Sequence, residues 1–149
     1  MNKEFVMRGQ TASDNEEVLN FSGYKPGYAY RLVEFSIYPS TNVGSVNAEL
    51  HATLTAAKTF EDPSNPNFDN EGLLGTATMS IGASSQLGIN YLSIINDTFL
   101  ITQNLILKVI DTVATAPMAV NWQCRFVAEK MSGPEEAVAN YKQFLISDD

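Results

Sequence analysis

Between Ala116 and Met131 the chain reads APMAVNWQCRFVAEKM, and its apolar residues fall on every second position. Val120, Trp122, Cys124, Phe126 and Ala128 alternate with Asn121, Gln123, Arg125 and Glu129. A helix would spread these residues around its axis. A strand sends alternate side chains to opposite faces, so one face meets a core and the other meets solvent. The pattern predicts an antiparallel strand from Ala119 to Met131 with the Trp122 face buried.

The same period recurs upstream. RLVEFSIYP from Arg31 places Val33, Phe35 and Ile37 opposite Glu34 and Ser36, and AELHATLTA from Ala48 sets Ala48, Leu50, Ala52 and Leu54 against Glu49, His51, Thr53 and Thr55. Weaker patterns mark strands at Glu4–Arg8, Glu17–Gly23, Leu73–Ile81, Tyr91–Ile95 and Phe99–Asp111. Pro39–Gly44 and Thr112–Pro117 carry turn residues and read as hairpin loops. Glu61–Gly72 (EDPSNPNFDNEG) is a long acidic loop with two prolines. About eight strands at this spacing predict a mostly β fold, an antiparallel β-sandwich or jelly roll. One helix is expected after the last strand. Ser132-Gly-Pro-Glu135 is a capping box, and Ala137, Val138, Tyr141, Phe144 and Leu145 follow at helical spacing.

With 149 residues, no internal repeat and no linker, the sequence reads as a single domain spanning 1–149. Cys124 is the only cysteine, so an intrachain disulfide is excluded. The opening MNKEFVMRGQ lacks the apolar run of a signal peptide. The most apolar stretch, Phe99–Ile110, is interrupted by Thr102, Gln103, Asn104 and Lys108, which argues against a membrane-spanning helix. The net charge of −8, with nine scattered Lys and Arg residues, leaves no basic patch for a nucleic-acid backbone. Asn, Ser and Thr supply 36 residues against 26 charged ones. Short uncharged side chains lose little entropy when covered, and a surface made of them favours packing against neighbours.

Candidate chemistry is sparse. His51, the only histidine, falls on a polar strand phase with no nucleophile or orienting carboxylate singled out beside it. Cys124 falls on the apolar phase between Trp122 and Phe126, the setting of an inert buried thiol. Asp62, Asn65, Asn67, Asp69 and Glu71 offer oxygen ligands to calcium, but without EF-hand spacing and with Pro63 and Pro66 between them, so the default is a solvated loop. Tyr24, Tyr28, Tyr30 and Tyr38 offer rings for a sugar- or partner-binding surface. No catalytic, cofactor-binding or metal-binding residue is assigned, and no cofactor is expected.

The C-terminal third carries a resemblance. Its two long strand patterns, Asp97–Asp111 and Ala119–Met131, precede the capped segment Ser132–Leu145. The string AVNWQCRFVAEKMSGPEEAVANYKQFL resembles the ending of small marine-bacteriophage proteins, strand-rich virion components that close on a strand, an L/M-S/T-x-x-E-A cap and a short helix. The similarity spans about fifty of the 149 residues. It implies a non-enzymatic virus structural protein, such as a capsid, decoration or fibre-associated component. Its partners would be copies of itself and other virion proteins, its location the virion, and its state a homo-oligomer. The alternative is a carbohydrate- or receptor-binding β-sandwich module that uses the tyrosines or the Glu61–Gly72 loop. On the assembly reading, residues 1–10 add little to the chain's own core and pair with a neighbour's sheet edge.

Overall fold

A computed structural model of the chain describes residues 3–21, 27–40, 47–57, 59–81, 90–113 and 118–130. These form eight strands: β1 (Lys3–Ala12), β2 (Asn15–Leu19), β3 (Tyr28–Pro39), β4 (Ala48–Thr55), β5 (Leu73–Ile81), β6 (Asn90–Ile95), β7 (Leu105–Asp111) and β8 (Ala119–Lys130). The architecture is mostly antiparallel β, in two sheets ordered β1-β8-β3 and β2-β7-β4-β5-β6. There is no helix among the described residues. The helix expected from Ser132 onward lies outside them.

The alternation read from the sequence sets which side chains meet. Val120, Cys124 and Phe126 on β8, Leu50, Ala52 and Leu54 on β4, and Leu107 and Val109 on β7 are all but inaccessible and belong to one core cluster that draws on both sheets. Each large side chain fully buried in this way stabilises the fold by roughly 1.5–3 kcal/mol. At one end of the core four rings pack together. Phe5 stacks on Phe126 at 5.4 Å, and Phe21 meets Phe126 edge-on at 5.1 Å and Tyr30 at 5.2 Å.

β3 departs from its expected phase. The β3–β8 register runs Leu32↔Phe126 and then Glu34↔Arg125, so Val33 is a bulge. Leu32 is buried on the inner face, while Val33 is only half-buried. A bulge adds one residue to one strand, and the inward parity changes from even before it to odd after it. This is why Tyr30 is buried and Tyr38 is exposed although both are even-numbered.

β1 and β2 form one path that changes sheets. β1 pairs with β8 as far as Ala12↔Ala119, and β2 begins on β7 at Asn15↔Val109. At the corner Ser13 N–H donates to Met118 O, and Asp14 N–H donates to Val109 O, both at 2.8 Å. Asp14 takes φ 68°, a left-handed conformation that Asp tolerates better than most residues. β1 is therefore integral to this chain. It pairs along its whole length, and Phe5 and Met7 pack on the core. The expectation that residues 1–10 add little to the chain's own core is corrected accordingly.

The two hairpins expected at Pro39–Gly44 and Thr112–Pro117 are also corrected. β3 and β4 lie in different sheets, as do β7 and β8, so both connections cross between sheets. The long strand expected at Phe99–Asp111 is shorter, because Ile101 makes an isolated antiparallel bridge to Tyr30 and only Leu105–Asp111 joins the five-stranded sheet. Arg31 anchors this connection. Its Nε bonds Glu129 Oε1 at 2.8 Å, and its Nη1 donates to Thr98 O at 2.9 Å. The remaining sheet edges approach each other at β3 and β6, where Ser93 Oγ and Tyr91 OH donate to Phe35 O at 2.6 and 3.3 Å.

Candidate functional site

His51 lies on the outer face of β4, half-buried, with Nε2 2.8 Å from Glu49 Oε1. Its cross-strand neighbours are Thr78 on β5 and Ile110 on β7, neither of them a nucleophile–carboxylate partner set. Cys124 is fully buried between the sheets, and desolvation pushes its thiol well above the ordinary range. A thiol held neutral is a poor nucleophile.

Asp62, Glu61, Asn67 and Asn70 spend side-chain oxygens within the acidic loop. Asp62 Oδ1 accepts from Ser64 N–H at 3.0 Å and from Ser64 Oγ at 2.8 Å, and these bonds hold its carboxyl below the usual value. Asn67 Oδ1 accepts from Asp69 N–H, and Asn70 Oδ1 from Gly72 N–H. Glu61 organises the loop, taking Asn67 N–H at 2.9 Å and Asn70 Nδ2 at 2.7 Å. Successive Asx turns point these acceptors at local N–H groups instead of a shared centre. Among the described residues no group of three or more His, Cys, Asp or Glu side chains is placed to hold a metal ion.

The loop also covers part of the five-stranded sheet. Thr53 Oγ1 donates to Glu61 O at 2.7 Å, Glu61 N–H donates to Thr55 Oγ1 at 3.1 Å, and Lys108 Nζ sits 4.7 Å above the Phe60 ring. Beside it runs a groove of about 340 Å³ whose rim carries Phe68 and Ile94, both exposed. Leu92 is exposed two residues from Ile94 on the same face of β6, and Val18 on β2 is exposed as well.

The three described tyrosines of the four do not gather. Tyr30 is in the core, Tyr38 stands in solvent on the outer face of the three-stranded sheet, Tyr28 is half-buried, and Tyr24 lies outside the described residues. Tyr38 overlooks a second, shallow groove of about 740 Å³ with Arg8, Gln10, Ser36, Asn121 and Gln123. Sequence patterning passed over this face as ordinary solvated surface. The available signal was the polar phase of β8, which places amides at Asn121 and Gln123 where Lys and Glu are commoner.

Compared with protein-family models and with curated proteins, the sequence matches none.

Proposed function

We propose that the eight strands form a jelly roll and that the protein is a non-enzymatic virus structural protein, acting through contacts with copies of itself and with other virion proteins. The observation that supports the jelly-roll part of this reading is the order of pairing. Early strands meet late strands in reverse, β1 with β8, β2 with β7 and β4 with β5, while β3 is held against β6 by the Ser93 and Tyr91 side chains. A long ribbon folded back at β4–β5 and rolled once acquires these neighbours, and rolling adds the pairs β8–β3 and β7–β4.

Jelly rolls serve viral capsids, lectins and cupins, so the architecture alone does not choose among them. The side chains favour assembly. Among the described residues, neither groove brings together an imidazole with carboxylates, and Glu71 is the one acidic residue lining either of them. Phe68, Leu92 and Ile94 stand exposed together at the β6 edge of the five-stranded sheet, a cluster of the kind that marks protein contacts. The C-terminal resemblance to phage virion components points the same way.

The test is quantitative mass spectrometry of purified particles from a phage that encodes the chain. A fixed copy number matching a symmetric position in the particle is expected. Recovery only from the infected-cell lysate, with none in particles, would remove the reading.

A further inference from the structure

We infer that the outer face of the three-stranded sheet is a binding site for a neutral oligosaccharide, centred on Tyr38 and Gln123. This goes beyond the assembly reading and stands on a different face. Three cross-strand rows build the groove and its border: Gln10–Asn121–Tyr38, Arg8–Gln123–Ser36 and Val6–Arg125–Glu34. The two outer rows are fixed from within. Gln10 Nε2 donates to Asn121 Oδ1 at 3.0 Å, and Arg125 lies between Glu34 at 3.4 Å and Glu4 at 3.7 Å.

The middle row is different. Among the described residues, the Arg8, Gln123 and Ser36 side chains hydrogen-bond to no protein group, and neither does the Tyr38 hydroxyl. The groove floor thus presents a guanidinium fork, an amide and two hydroxyls with their bonding capacity unused. Amide and guanidinium forks match the paired donors and acceptors of adjacent sugar hydroxyls. The Tyr38 ring, 57% exposed, offers a flat apolar surface to the C–H face of a sugar.

Charge and polarity select the ligand class. Arg125 is balanced by Glu4 and Glu34, leaving Arg8 as the single unpaired charge of the groove in a chain of net charge −8, so an anionic polymer gains little here. A protein partner needs an apolar centre to its interface, and here Ile37 and Trp122 are buried beneath the sheet, leaving the Tyr38 ring exposed in the groove and Val6 exposed in its border row. Tyr38 and Ser36 on rigid strands lose little freedom on binding, and Asn121 is already held by Gln10, which suits a polyhydroxylated ligand.

The experiment titrates the full chain with cellohexaose, maltohexaose, chitohexaose and a galactan hexamer by calorimetry, alongside Tyr38→Ala and Gln123→Ala, whose unfolding midpoints check that they fold. Binding of at least one hexamer is expected, weakened about tenfold by each substitution and retained by Tyr38→Trp. Absence of binding by all four at millimolar concentration overturns the proposal, as does binding that both alanine variants keep. A change in self-association on Tyr38→Ala, with no sugar bound, reassigns the face to a contact between copies and overturns it too.

Discussion

Gly9 on β1 lies directly across from Trp122 on β8, so close that a Cβ on residue 9 would come within 2.8 Å of the indole Cζ2. The indole fills the space a side chain would need, and β1 can pair with β8 only because residue 9 has none. Gly9→Ala should cost about 1–3 kcal/mol through overpacking, read as a lower urea midpoint with unchanged slope. Deleting residues 1–10 removes Gly9, Phe5 and Met7 together, and the expected outcome is an unfolded chain by circular dichroism.

Thr11 ties the same indole chemically. Trp122 Nε1 donates to Thr11 Oγ1 at 3.0 Å, and that hydroxyl donates to Glu17 Oε2 at 2.9 Å. Thr11→Val leaves the indole N–H without a partner in a site where Trp122 is 8% exposed, at a cost of about 1–3 kcal/mol. In a Trp122→Phe background the same change should cost much less. Equal costs in both backgrounds would show that the hydrogen bond contributes nothing.

Cys124 reports on opening of the core. Burial both shields its thiol and raises its pKa, so a thiol reagent should label it only as fast as the two sheets separate. Labelling should slow in step with added stability. Rapid labelling of the native protein would mean the core around Phe126 is open.

These positions show how far the residues alone could be read. Val120, Trp122, Cys124 and Phe126 are buried as their alternation requires, because alternation directly encodes the two faces of a strand. Val33 was misplaced, since a bulge shifts the inward phase without any glycine or proline to announce it. Thr53 and Thr55 were read as solvent-facing, yet both are fully buried, because the loop that follows their own strand folds back over them at Glu61. The crossings after β3 and β7 were misread for a related reason. Turn residues mark where a strand ends, but the next strand's partner is set by the whole wrapped ribbon. The polar groove at Tyr38 needed the β1–β8–β3 register before Arg8, Gln123 and Ser36 could be seen as one row.

The acidic loop should hold its shape without calcium, because the Asp62, Glu61, Asn67 and Asn70 side chains already bind its Ser64, Asn67, Asp69 and Gly72 N–H groups. Unfolding midpoints with and without a chelator should coincide, and a drop on chelation would contradict this. Glu61→Ala should free the loop to limited proteolysis while lowering global stability by about 1 kcal/mol. The depressed Asp62 pKa makes its local contribution present above the unfolded carboxylate value and lost as pH falls through the lower folded one. Ser64→Ala should return that titration toward its ordinary position, followed by NMR.

The central claim is that the protein works by assembling, through surface that includes Leu92 and Ile94. Sedimentation velocity of the full chain across the micromolar range tests it most directly, with the Leu92→Asp/Ile94→Asp variant run beside it. One discrete oligomer is expected, dissociating in a variant that stays folded by circular dichroism, since both side chains are exposed on β6, with its unfolding midpoint lowered only by the stabilisation that self-association supplied. A wild-type chain that remains a folded monomer at every concentration would contradict the claim.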